Sequence, residues 1–285
     1  MILGILLALI SAFAWGISSV LIKVGLRKKS PVSANLVRLY VAALTYLIIF
    51  YLNGSYGEIA SLPFCNHVIA FISAQFGFVI GDYFYFSALK RLGVSRVVPI
   101  TSTYPLWTIL WVHLFLGRTI TLNVVVGAIL IVAALWIVRK AEVEEHADPK
   151  GFLYALLTPI SWSLAITLMD WLSNRMSPLT LAGLRMIYAA LGLTLVSWRY
   201  IDEIKGFSKR ELSVVGPAGL LGLVIAQYTF VKSVALVGSQ IATPVTAINP
   251  IVSTTLAVGF LGEPPNKKIL IGLILVVIGI VLITS

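Results

Sequence analysis

Six ionisable residues stand inside or at the edge of long apolar runs: Lys23, Arg38, Asp82, Asp170, Arg185 and Lys232. A charge held in hydrocarbon is costly, so such residues face a partner or a watery path and mark solute or ion routes. Two acids among four bases allow two internally paired clusters. Asp82 would pair with Arg38 or Lys23, and Asp170 with Arg185 or Lys232. A pair near each mouth could open and close in alternation as a gate. The plainer reading has Lys23, Asp170 and Lys232 snorkelling to the interface. Asp82 is the deepest carboxylate and the best candidate for a group that exchanges a proton. Its counterpart in the second half of the chain, Gln227, cannot titrate.

Four prolines carry a second signal. Pro99 and Pro105, and again Pro244 and Pro250, each remove a backbone donor and crowd the preceding turn, which frees a carbonyl at membrane depth. Thr101, Tyr104, Thr246 and Asn249 place polar side chains on the same turns. Paired breaks in corresponding segments point to a solute site; static kinks that shape packing are the alternative. Trp15, Trp162, Tyr83, Tyr85, Tyr104, Trp107, Trp111 and Tyr228 offer faces for stacking on planar or cationic solutes, or contact lipid as membrane aromatics commonly do. The residues expected to line a cavity are therefore Trp15, Asp82, Tyr83, Thr101, Tyr104, Trp162, Gln227, Tyr228, Thr246 and Asn249. Gly77 and Gly81 form a GxxxG face, read as a helix contact. Bond-making chemistry has no comparable support. His67, His113 and His146 are scattered, and no HExxH, GxSxG or phosphate-binding loop occurs. No catalytic residue, metal or cofactor is expected.

These residues must be held by membrane spans. Of 285 residues 59% are hydrophobic and 11% charged, with mean hydropathy +0.99. A soluble domain carries roughly 25% charged residues, so a water-soluble enzyme, a nucleic-acid module and a disordered tail are excluded. The lone Cys65 rules out an intramolecular disulfide framework. Apolar stretches near the roughly 20 residues that a spanning helix needs recur at 2–22, 39–57, 59–81 (starting nearer Phe64), 97–117, 119–138, 151–169, 179–198, 212–231, 233–262 and 269–285. Their long unbroken apolar runs suit helices and not barrel strands. The expected fold is all-α and polytopic, with ten transmembrane helices. Loops on one side hold Arg27, Lys28 and Lys29, Lys90 and Arg91, Arg139 and Lys140, and Lys267 and Lys268. The positive-inside rule makes that side cytoplasmic and both termini external, in the plasma membrane. The net charge of +10 is an orientation signal, and no nucleic-acid partner is expected.

The chain also repeats itself. Ala8-Leu9 through Leu44 lies on Ala155-Leu156 through Leu191 without a gap, so that Trp15 meets Trp162, Ser30-Pro31 meets Ser177-Pro178, and Arg38 meets Arg185. Further along, Tyr83 meets Tyr228, Pro99 meets Pro244, Pro105 meets Pro250, and Phe115-Leu116-Gly117 meets Phe260-Leu261-Gly262. The expected division is a first repeat over 1–140, a polar linker over 141–149 and a second repeat over 150–285. Five spans per repeat, an odd number, turn one half upside down relative to the other. Inverted repeats are typical of secondary transporters, with the substrate site near the midplane.

The motifs Ala14-Trp15-Gly16, Leu21-Ile22-Lys23, Arg38, Tyr85-Phe86-Ser87-Ala88-Leu89, Pro105 and Phe115-Leu116-Gly117, echoed by Pro250, Phe260-Leu261-Gly262-Glu263 and Gly272, resemble the drug/metabolite transporter superfamily in its EamA-type branch. One departure is Arg118, where the family usually places an acid matching Glu263. The resemblance implies that spans one and six, three and eight, and four and nine line the route, with five and ten bracing it. The expected function is secondary transport, as an exporter, of small organic metabolites such as amino acids or related amphipaths. Alternating access would draw on a proton or counter-solute gradient. The expected assembly is a monomer or weak homodimer. The rival reading is a non-transporting membrane subunit that docks an enzyme or lipid carrier. It expects a packed, dry centre, so a central cavity of several hundred cubic ångströms separates the two.

Overall fold

In the computed structural model, residues 1–25, 30–92, 97, 100–138, 148–252, 255–256 and 267–284 are described, and among them there are helices and turns but no strand. Pro99, the 260–263 motif, residues 141–147 of the linker and the side chain of Lys23 lie outside the described residues. The first repeat comprises α1 (Ile2–Gly25), α2 (Pro31–Asn53), the short α3 (Tyr56–Ser61), α4 (Phe64–Ala74), α5 (Gly81–Leu92), α6 (Tyr104–Leu116) and α7 (Leu122–Val138). The second comprises α8 (Pro149–Ser173), α9 (Pro178–Val196), α10 (Ile201–Lys205), α11 (Lys209–Gly219), α12 (Ala226–Val237), α13 (Ser239–Thr246) and α14 (Lys267–Thr284). Among the described residues six spans are long and apolar enough to cross a membrane, Phe64–Leu92 and Lys209–Val237 being two of them; Tyr104–Leu116, Leu122–Ile137 and Ile274–Thr284 are shorter apolar helices. Phe13, Leu44, Ile48, Leu114 and Ile274 are exposed, an outer skin that lipid solvates without penalty. The molecule is an all-α multi-pass membrane protein.

Several boundaries differ from the sequence expectation: the second span runs Val32–Asn53 and takes in Arg38, and two others run on past a charge. The third span continues through Asp82 to Leu92, and the eighth through Lys232 to Val237. One charge per span is tolerated when the surrounding apolar run is long and the charge faces protein. The chain turns instead at Gly238, whose φ of +77° with ψ of 157° is a region open essentially to glycine alone.

Local chemistry sets the helix starts. Ser30 and Ser177 are matched N-caps whose hydroxyls accept from the amides of Ser33 and Thr180, each followed by proline at the first helical position. Each cap is also held by a glutamate from the other repeat. Glu203 accepts from the Ser30 amide at 2.8 Å and hydroxyl at 2.6 Å. Glu58 accepts from the Ser177 amide and hydroxyl and from Thr180 Oγ1. Glu58 follows the end of α2 and binds the start of α9, while Glu203 follows α9 and binds the start of α2. The two helices therefore run antiparallel and are clamped at both ends. Between the clamps, Leu36, Leu39, Tyr46 and Phe50 of α2 pack with Leu181 and Met186 of α9 in one buried cluster. Helices α7 and α14 pack at close range, since a Cβ on Gly127 would stand 2.6 Å from the Gly279 carbonyl oxygen and one on Gly279 would stand 2.8 Å from that of Gly127.

Both long repeat-matched spans contain one wide turn. Residues Gln75–Ile80 and Leu220–Ile225 are π-helical. The amide of Gly81 reaches back to the Phe76 carbonyl and that of Ala226 to the Leu221 carbonyl. A π-turn loosens the carbonyl ladder and recurs at functional sites.

A central cavity between the repeats

The two π-turns frame a cavity of about 670 Å³. Side chains of the opposite repeat satisfy several of the loosened carbonyls. Trp15 Nε1 donates to the Gly222 carbonyl at 2.8 Å, and Tyr46 Oη donates to that of Val224 at 3.0 Å. Across the pseudo-symmetric position, Ser161 Oγ donates to the Phe76 carbonyl at 2.7 Å. Helix–helix bonds repeat the theme, with Ser18 Oγ donating to Ala218 and Ser73 Oγ to Ala165. Each contact joins a first-repeat residue to a second-repeat residue, so the cavity lies on the boundary between the halves.

Six of the residues expected to line a cavity do line it: Trp15, Asp82, Tyr104, Trp162, Gln227 and Asn249. Arg38 and Arg185 line it as well. The Asp82 carboxylate accepts from Trp162 Nε1 and from Asn35 Nδ2, each at 3.2 Å. Trp162 in turn packs on Tyr85, with ring centroids 5.2 Å apart, and meets Tyr104 edge-on at 6.1 Å. Gly77 and Gly81 form the helix contact that their spacing suggests: a Cβ on Gly81 would stand 2.5 Å from Trp162 Cδ1. Gly77 also borders the cavity.

Four residues expected at the cavity are not among its lining: Tyr83, Thr101, Tyr228 and Thr246. Tyr83 is 58% exposed and its ring meets Tyr154 at 6.1 Å. One residue along a helix turns the side chain by about 100°, so Asp82 facing inward sends Tyr83 outward. Tyr85 and Phe86 take the cavity positions instead. Tyr228 faces Lys232, whose ammonium lies 5.7 Å from its ring centroid. Thr246 is wholly buried and donates to the Thr243 carbonyl at 2.9 Å. Thr101 is buried at the adjoining break.

The charge pairing also differs. Asp170 pairs with Arg118 and not with Arg185 or Lys232: Arg118 Nη2 lies 2.8 Å from its Oδ1, while its Oδ2 accepts from the Ser239 amide at 2.9 Å and hydroxyl at 2.7 Å. The reason is positional. Gly117, with φ of +61°, ends α6 in the left-handed conformation that glycine adopts freely. Arg118 follows it at once, beside the last turns of α8. Arg185 instead donates to Gln227 Oε1 at 3.4 Å and touches Met169 Sδ at 2.9 Å. Among the described residues no ion pair joins Asp82 to Arg38.

The prolines act differently from simple kinks. Pro105 occupies the first turn of α6, where a missing amide costs nothing. Pro250 likewise is the second helical residue after the turn at 247–248. The breaks themselves fall at 102–103 and 247–248, so the matched interruptions exist with the prolines opening the next helical piece. Pro244 lies inside α13. Two features escaped sequence reasoning. The π-turns have no residue signature beyond the matched Gly77 and Gly222. Glu58 and Glu203 fall on one another in the register that sets Tyr83 on Tyr228, which is a signal the alignment of the halves contains.

Comparison with known proteins agrees with this architecture. The EamA-like transporter family model matches residues 2–140 and again 149–285. A protein of Archaeoglobus fulgidus named as an uncharacterized transporter is 28% identical over 283 residues, covering 99% of this chain and 98% of its own. Putative sugar uptake proteins of Bacillus anthracis and Listeria innocua are 26% and 24% identical, each over 99% of this chain and 98% of theirs. A protein crystal structure superposes with a TM-score of 0.82 at 19% identity, covering 99% of this chain and 96% of that one; at that identity the likeness concerns the fold. With both halves matched and the fold shared end to end, the chain belongs to the EamA-like transporter family of the drug/metabolite transporter superfamily and is a membrane transporter.

Proposed function

We propose that this chain moves a small polar organic solute across the plasma membrane by alternating access between two inverted five-helix repeats, ten spans in all, with the central cavity as its binding site. The observation that carries the reading is the cavity itself: about 670 Å³ on the boundary between halves, within the range of a small-molecule site and contrary to the packed centre that a docking subunit expects. Its lining extends along α1 from Trp15 to Ile22 and along α5 from Asp82 to Leu89. Those ends lead to the basic loops, so the conformation is open to the cytoplasm. At the opposite face the Arg118–Asp170 pair fastens α6 to α8 and serves as the external closure. A gradient-driven device of this kind is reversible. Export of amino acids or related amphipaths, the direction expected from the family, and uptake, the direction in the relatives' names, are then two uses of one cycle set by the prevailing gradients.

The test combines flux with accessibility. In a Cys65→Ser background, Ser19→Cys and Leu89→Cys should react with a membrane-impermeant maleimide from the cytoplasmic side, and Asn174→Cys from the outside. Proteoliposomes should exchange radiolabelled metabolites from a cell extract. Labelling of Ser19→Cys and Asn174→Cys from the same side, or absence of any exchange, refutes the proposal.

A further inference from the structure

The cavity holds more positive than negative charge. Arg38 and Arg185, matched between the repeats, both line it. Arg185 is 2% exposed. Its neighbours are a thioether, the amide oxygen of Gln227 and the ring of Phe78, whose centroid lies 5.4 Å from its guanidinium carbon. None of these carries a charge. The Nε atoms of both arginines are buried without a hydrogen-bond partner. A Cβ on Gly222 would stand 3.1 Å from Arg38 Nη2, and one on Gly77 would stand 3.5 Å from Arg185 Nη2. Each guanidinium thus lies against the π-turn of the other repeat, where the small residue leaves it room. Among the described lining residues there is one carboxylate, Asp82, and it already accepts from Trp162 and Asn35. Two cations against one anion, in walls whose other described residues are uncharged, leave one positive charge without a counter-charge.

A desolvated cation with no partner is costly, and the cost is relieved when an anion enters. Guanidinium is suited to this, because its fork of donors matches the oxygens of a carboxylate or phosphate and it stays charged at all physiological pH values. We propose that the transported solute bears an anionic head, a carboxylate or a phosphate, that seats on Arg185 and Arg38 while its body packs against Trp15, Phe86 and Trp162. The inference rests on the cavity being the transport site and deepens that reading by naming the charge of the solute. A neutral sugar leaves the excess charge in place, and a simple cation adds to it.

Two measurements on the purified full chain test this. Iodide and caesium are compared as quenchers of the cavity tryptophans, read as the difference between the wild-type chain and Trp15→Phe or Trp162→Phe. Iodide should quench at least about threefold more effectively. That advantage should fall in Arg185→Gln and Arg38→Gln and persist in Arg185→Lys, which guards against a variant that merely fails to fold. Caesium quenching equal to iodide, or an advantage unchanged in both Gln variants, overturns the proposal. The second measurement is ligand-induced thermal stabilisation at constant ionic strength with glucose, glucosamine, glucuronate and glucose 6-phosphate, which share one body. One or both anions should bind at least about tenfold more tightly than glucose, the gain expected of a charge-assisted contact, and the stronger of the two identifies the head. Glucose binding as tightly as both anions refutes the assignment. Anion preference without flux in proteoliposomes removes the transport reading and leaves the cavity as an anion-binding site. Glucose flux that neither anion inhibits, and that Arg185→Gln leaves unchanged, does the reverse.

Discussion

Asp170 is the group whose removal the fold should feel most. Its side chain is fully buried, while that of Arg118 is 35% exposed. It accepts three hydrogen bonds, two of them from the buried Ser239. Bonds to an ionised acceptor contribute about 1.5–3 kcal/mol each, and stranding the buried amide and hydroxyl of Ser239 adds their desolvation. The Arg118 contact reaches solvent and is worth about 1 kcal/mol or less. Asp170→Ala should therefore cost about 3–5 kcal/mol, Asp170→Asn about half of that, and Arg118→Gln about 1 kcal/mol. Unfolding free energies from SDS titration in mixed micelles, followed by circular dichroism, give the three values. The double variant should show a coupling of about 1 kcal/mol between the two sites. An Arg118→Gln cost equal to that of Asp170→Ala would mean that the ion pair, and not the bonds to Ser239, carries the stability. A cost below about 1 kcal/mol for Asp170→Ala would mean that the carboxylate is hydrated.

Burial pushes the Glu58 carboxyl up, but hydrogen bonds from the Ser177 amide, Thr180 and the Ser177 hydroxyl outweigh it and hold the group below its ordinary 4.5. A carboxyl depressed in the folded state contributes stability that is complete above its unfolded value and lost as pH falls through the folded one. The gap in melting temperature between wild type and Glu58→Gln should therefore be constant near neutrality and shrink below about pH 4.5; a gap that widens on acidification contradicts this. Gly127→Val should force α7 away from α14 and lower the unfolding free energy by about 1–3 kcal/mol in the same SDS titration. Trp15→Phe should strand the Gly222 carbonyl and cost about 1–3 kcal/mol, with Trp15→His, which keeps a ring donor, recovering part of the loss.

The division of labour between sequence and structure follows from range. The apolar runs of the longer spans, the matched Ser-Pro dipeptides and the match of Arg38 with Arg185 depend on local composition or on comparing the chain with itself, and all are legible without coordinates. The continuity of helix through Asp82 and Lys232 is not, because one charge weighs equally as a span boundary and as a buried site until its neighbours are known. Asp170 illustrates the limit most clearly. Arg118, Arg185 and Lys232 are all credible partners by charge, and the choice falls to the turn that Gly117 makes. Of the cavity positions, Trp15 and Trp162 emerge from their matched register. Tyr83 misleads because repeat matching reports shared packing as readily as a shared site.

The glutamate clamps on α2 and α9 have a mechanical consequence. They grip a single antiparallel pair, one at each membrane face, so neither helix can slide along the other by a turn without tearing a carboxylate from its serine. That flank of the protein behaves as a stitched seam. Under the transport cycle proposed above, α2 and α9 would move as one unit, and the cavity they help to line would open through the helices packed on them, like a book whose spine stays bound at head and tail.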